Sequence, residues 1–66
     1  MHRFFVDPEN MQGHMAIIDK EEAHHIQKVL RLKAGEQVIL FDGSGYEYRA
    51  RLLEAKQAGL TAQIME

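Results

Sequence analysis

Residues 37–52 read QVILFDGSGYEYRARL, an order that spells two strands joined by a reversal. Val38 to Phe41 are continuously apolar, which predicts a strand covered on both faces at the centre of the core. Asp42-Gly43-Ser44-Gly45 is dense in residues that tolerate positive φ, so the chain should turn back there. From Tyr46 onward the pattern alternates: Tyr46, Tyr48, Ala50 and Leu52 fall on one face, and Glu47, Arg49 and Arg51 on the other. That second strand should pack one face inward and present two arginines on the opposite side.

Upstream, Asp19 has the features of a helix N-cap, with Glu22 three residues on and Glu21 adding negative charge to the first turn. The helix should run from about Lys20 to Arg31 and end at Ala34-Gly35. At about 100° per residue, Ala23, Ile26, Val29 and Leu30 share one buried stripe. His24, Lys28 and Arg31 then form a single exposed ridge on the other side. Nearer the start, Arg3 to Val6 is a short strand stopped by Asp7-Pro8, Glu9 to Gly13 is a polar turn, and His14 to Ile18 is a second strand. These two strands are expected to pair as an early ribbon. Downstream, Gln57-Ala58-Gly59 makes a turn, and Leu60, Ala62 and Ile64 form the inward face of a last strand. The fold class expected is mostly β with one α-helix: a small open β-barrel of about five strands, the helix closing one end.

With 66 residues the chain is one domain, and at that size it buries only about 60% of the surface exposed when unfolded. Hydrophobic content of 45% with 27% charged residues fits a folded domain rather than a disordered one. There is no cysteine, so neither a disulfide nor a thiolate zinc site reinforces the fold, consistent with a reducing compartment. MHRFF followed by Asp7, Pro8, Glu9 and Asn10 leaves no apolar run suited to a signal peptide or membrane span, so the expected location is cytoplasmic, with no membrane partner. LTAQIME still reads as a strand at Glu66, and a further domain beyond it is expected.

A net charge of −2 argues against strong indiscriminate binding to nucleic acid, whose affinity comes from summed phosphate neutralisation. Local charge tells a different story. Ala23 to Gly35, AHHIQKVLRLKAG, carries Lys28, Arg31, Lys33 and two histidines without one carboxylate. A solvated helix face would carry the same cations, but it would ordinarily interleave acids at i,i+4. Such a patch is a candidate phosphate contact. Arg49 and Arg51 are weaker candidates, with Glu47 and Glu54 close enough in sequence to neutralise them, and Arg3, beside Phe4 and Phe5, either meets RNA or edges the sheet.

Other chemistries are disfavoured. His24 and His25 are adjacent and point about 100° apart, so they cannot converge on one metal ion without further ligands, and no metal site is assigned. His25 is expected to be packed or capping, and His24 to stack on a base or bond a phosphate. Asp42-Gly43-Ser44-Gly45 lacks the GK[ST] ending and following helix of a phosphate loop, and Ser44 lacks a nucleophile elbow, so no catalytic residue is assigned.

Taken in order, Arg3-Phe4-Phe5-Val6, Glu21-Glu22-Ala23-His24-His25, Val29-Leu30-Arg31-Leu32-Lys33, Gly35 and Leu40-Phe41-Asp42-Gly43-Ser44-Gly45 resemble the start of RsmE-type ribosomal RNA methyltransferases. The likeness covers nearly the whole chain. It implies a PUA-like RNA-binding domain over residues 1–66, followed in such enzymes by a C-terminal SPOUT domain that binds S-adenosylmethionine, dimerises and methylates N3 of a uridine in 16S rRNA. This chain would then hold no cofactor itself. Its partners would be small-subunit ribosomal RNA and its own C-terminal domain, within a homodimer. RNA contact is expected at Arg3, His24, Lys28, Arg31 and Lys33, with Arg49 and Arg51 secondary, while Asp42 and Gly43 shape a turn. His2 stands where a basic residue is common in the family, and Ala34 where proline often stands. Two other readings are a module that docks on an acidic protein surface or on its own catalytic domain, and an unrelated translation-associated RNA-binding barrel.

Overall fold

The computed structural model describes residues 1–55 and 59–65. Six strands form one open, half-barrel sheet: β1 (Arg3–Phe5), β2 (Met11–Gln12), β3 (Met15–Ile18), β4 (Gln37–Phe41), β5 (Glu47–Leu52) and β6 (Leu60–Ile64), in the order β1-β4-β5-β6-β3-β2. The helix α1 (Lys20–His24) runs on as a π-helical turn, His25–Val29. Of the turn expected at Gln57-Ala58-Gly59, Gln57 and Ala58 lie outside the described residues.

The expected early ribbon does not form. β1 pairs in parallel with β4, Phe4 opposite Leu40, while β3 lies between β2 and β6. Met11–Gln12, read as part of a turn, is instead a short strand that hairpins onto β3 through Gly13. Asp7 explains why β1 and β2 separate. Its carboxylate accepts from the Glu9 N–H at 2.9 Å and nucleates a 3₁₀ turn, Pro8–Asn10, with proline at its first position.

The inward rows of the sheet follow from the register. Phe4 and Leu40 adjoin across β1 and β4, Val38 and Ala50 across β4 and β5, and Leu52, Ala62 and Ala16 across β5, β6 and β3. All seven are buried, joined by Val6, Ile18, Leu60 and the helix residues Ala23 and Ile26 in one cluster. Alanine at three central positions makes room on the concave face for larger neighbours, the small-and-large alternation a strongly bent sheet requires. Among the described residues no polar side chain is buried. β4 is covered deeply on one face only: Val38 and Leu40 are fully buried, while Ile39 and Phe41 are half-buried on the outer face.

The helix begins as the sequence predicts, the Asp19 carboxylate accepting from the Glu22 N–H at 2.8 Å. It ends earlier, and differently. The Leu30 N–H bonds to the His25 carbonyl at 3.0 Å and the Leu32 N–H to the Ile26 carbonyl at 3.0 Å. The second is a Schellman-like closure stretched by one residue, as an i→i+5 turn demands. Arg31 sits between them with φ +57°, the left-handed residue that stops the helix. Ala34-Gly35 is a separate turn, its Gly35 N–H bonded to the Leu52 carbonyl at 2.8 Å.

One expectation fails for this reason. Each residue of a π turn rotates less about the axis than in an α-helix, so Val29 leaves the buried stripe and stands 62% exposed, while Leu30 and Leu32 pack against the core. Of the ridge read in the sequence, His24 and Lys28 lie on the helix and its π turn, and Arg31 lies past them at the left-handed stop, all three exposed.

The β4–β5 connection is an ordered loop. The Asp42 carboxylate accepts from the Ser44 N–H at 3.0 Å, the Ser44 hydroxyl at 2.6 Å and the Tyr48 hydroxyl at 3.4 Å. The bonds from Ser44, its hydroxyl foremost, favour the ionised form and hold the Asp42 carboxyl below the ordinary aspartate value. Tyr46 precedes the first paired residue of β5 and is 71% exposed, not inward as strict alternation implies.

Ile26→Ala should cost about 2–5 kcal/mol through the cavity it leaves, and Ala62→Leu about 1–3 kcal/mol through overpacking, both read from chemical denaturation midpoints. At position 31, Arg31→Gly should be neutral or stabilising by up to about 1 kcal/mol, whereas Arg31→Val should destabilise by about 1–2 kcal/mol, since a side chain pays for left-handed backbone. Because the folded-state pKa of Asp42 is depressed, the loop's stabilisation is complete above the unfolded value and is lost as pH falls through the folded one. Carboxyl NMR titration should place the Asp42 midpoint below that of an unstructured aspartate, and Ser44→Ala should raise it.

Candidate nucleic-acid interface

Two regions of the surface carry the cations singled out in the sequence. The first is the acid-free segment. His24 closes α1, Lys28 lies in the π turn, Arg31 is the left-handed stop, and Lys33 lies in the loop leading to β4, all exposed. The Lys33 N–H is held by the Glu36 carboxylate at 2.6 Å, which fixes the loop backbone. Among the described residues, Lys28, Arg31 and Lys33 form no ion pair. Among the described residues six have positive φ, five of them glycines and the sixth Arg31, whose side chain makes that backbone conformation a strained one.

His24 lies in a shallow groove with Lys20, Gln27 and Leu60. His25 is exposed rather than packed, because it falls where the α-helix passes into the π turn, and it lines a separate groove with Asp19, Glu21 and Glu22. Among the described residues no set of three histidine or carboxylate side chains is arranged to hold a metal ion.

The second region is the outer face of β1, β4 and β5. The register places Arg3, Ile39 and Arg49 in one row, and Phe5, Phe41 and Glu47 in the next. Arg3 reaches over β4, its guanidinium 5.9 Å from the centre of the Phe41 ring, and pairs with the Glu47 carboxylate on β5. Phe5 meets Phe41 edge to face at 5.8 Å between ring centres. Arg3 therefore both edges the sheet and is tied into it. Arg51 is exposed one row further along, opposite Gln37 and Gln63. The acid-free segment and the sheet's outer face are separate arrangements of cations.

Sequence reasoning missed Glu47 as the partner of Arg3, since their meeting depends on the parallel β1–β4 pairing. It also missed Tyr46 as a surface aromatic. The signal available was the Asp42-Gly43-Ser44-Gly45 run, long enough to carry Tyr46 outside the ladder.

No helix among the described residues is long and apolar enough to cross a membrane. Residues 18–64 match the sequence family described as the RNA methyltransferase PUA domain. Ribosomal RNA small subunit methyltransferase E of Mycobacterium bovis is 36% identical over 62 residues, 94% of this chain and 24% of that protein. Among solved structures, a predicted RNA methyltransferase of Thermotoga maritima superposes with a TM-score of 0.82 at 33% identity, over 100% of this chain and 29% of that one. Ribosomal RNA small subunit methyltransferase E of Neisseria gonorrhoeae, bound to S-adenosyl methionine, superposes with a TM-score of 0.79 at 33% identity, over 100% of this chain and 27% of that one. The chain thus spans about a quarter of the length of the relatives it matches. Half-barrel, crossover helix and sequence agree: the chain belongs to the RNA methyltransferase PUA domain family.

Proposed function

We propose that residues 1–66 form the RNA-recognition domain of an RsmE-type methyltransferase that acts in the cytoplasm on small-subunit ribosomal RNA, at N3 of a uridine. The observation that carries this reading is the acid-free run from Ala23 to Gly35, with His24, Lys28, Arg31 and Lys33 exposed, within a chain of this family. The domain orients RNA and does not react with it. Lys28, Arg31 and Lys33 hold phosphates, with His24 beside them; Arg49 and Arg51 extend the contact over the sheet, where Arg3, paired with Glu47, meets the RNA by other means than a phosphate.

Methyl transfer is assigned to a second, SPOUT-type domain in a homodimer. The described residues offer no buried polar side chain to hold a cofactor as polar as S-adenosylmethionine, and none of them is assigned a part in the transfer. The S-adenosyl methionine bound in the Neisseria gonorrhoeae relative supports a cofactor site in the remainder of the protein.

Charge reversal tests the assignment in the intact protein. Lys28→Glu combined with Arg31→Glu should weaken binding to small-subunit ribosomal RNA by about tenfold or more. The slope of log affinity against log salt should fall by about two units, while sedimentation shows the assembly state unchanged. Altered assembly with RNA affinity intact would instead favour a protein-docking role for this face.

A further inference from the structure

The rim of the β4–β5 loop forms a groove lined by Arg3, Phe41, Gly43, Gly45, Tyr46 and Glu47. Three observations give it a chemistry. Its walls are flat: Tyr46 stands 71% exposed, and the Phe41 ring carries the Arg3 guanidinium across its face at 5.9 Å. Its edge is open at Gly43 and Gly45, which put no side chain into it, and a Cβ on Gly45 would meet nothing within 4 Å. Its one cation, Arg3, is already balanced by Glu47, so the groove has no free charge to offer a phosphate.

We infer that this groove is a subsite for one unpaired nucleobase of the bound RNA, stacked on Tyr46 with its polar edge turned to the Arg3–Glu47 pair. A base presents flat π faces and an edge bearing both donors and acceptors. The groove answers with an aromatic face, guanidinium donors and a carboxylate acceptor within one ion pair. A paired base has both its stacking face and its Watson–Crick edge occupied, so the subsite selects single-stranded over duplex RNA. The loop is built beforehand: Asp42 draws in Ser44 and Tyr48, and the Ser44 hydroxyl in turn faces the Tyr46 N–H at 3.4 Å. Stacking on Tyr46 then costs little ordering of the loop. The inference rests on the RNA-binding reading above but concerns a different surface from the acid-free segment.

The experiment is equilibrium binding of the intact protein to a 12-nucleotide single-stranded RNA of mixed sequence carrying one 2-aminopurine, and to the same strand in a duplex. Tyr46→Ala should lower single-strand affinity by about 5- to 100-fold, the range for losing one base–aromatic stack. It should also remove the quenching of 2-aminopurine and leave duplex binding within twofold. Tyr46→Phe should retain both affinity and quenching, since the ring and not the hydroxyl carries the stack. As Tyr46 is largely exposed, both variants should keep the wild-type thermal midpoint. Wild-type single-strand affinity in Tyr46→Ala overturns the subsite while leaving RNA binding through Lys28 and Arg31 standing. Altered subunit assembly with unchanged RNA binding overturns it in favour of a protein contact. If the wild-type protein binds neither RNA, nor assembled small subunits, the RNA-binding reading and the subsite both fall.

Discussion

The constraint behind the whole structure is that one short helix must close the concave face of a sheet only six strands wide. Ala23 and Ile26 are its buried contributions, and they meet a sheet face graded from Val38, Leu40 and Leu52 to Ala16, Ala50 and Ala62. So small a core tolerates neither a larger residue at an alanine nor a smaller one at Ile26. The π turn belongs to the same geometry, carrying Leu30 and Leu32 against the core while turning Val29 out to solvent.

Elements set by local physics were legible in the sequence. Asp19 with Glu22 located the helix start, alternation from Tyr48 to Leu52 located the strand that became β5, and Leu60, Ala62 and Ile64 located β6. What the sequence concealed was set by contacts between distant residues or by departures from ideal periodicity. The pairing of Phe4 with Leu40 leaves no mark on either segment, and the π turn obeys no 3.6-residue pattern. The cations of the first region were visible because absent carboxylates can be counted. In the second region Arg3, Arg49 and Arg51 were visible as cations but their setting was not, because Arg3, Phe41 and Glu47 become neighbours only through the sheet.

In the proposed reading the two regions divide the work of recognition by chemistry. Around Arg31 the cations stand without ion pairs among the described residues and suit a polyanionic backbone. On the sheet Arg3 is neutralised by Glu47 and set against an aromatic ring, which suits a flat heterocycle. Backbone contacts give register and affinity; a base contact gives discrimination. Both surfaces rest on devices that reduce loop freedom, Glu36 holding the Lys33 N–H and Asp42 gathering Ser44 and Tyr48.

The parallel seam between β1 and β4 also bears on the order in which the molecule assembles. Antiparallel neighbours such as β4 and β5 zip outward from their shared loop, but β1 has no partner until the hairpin, the helix and β4 have all been made. On a ribosome β1 therefore waits, unlatched, until β4 emerges. Arg3 reaches Glu47 only when that latch closes, so the ion pair over Phe41 requires β1, β4 and β5 together and no part of β6, β3 or β2.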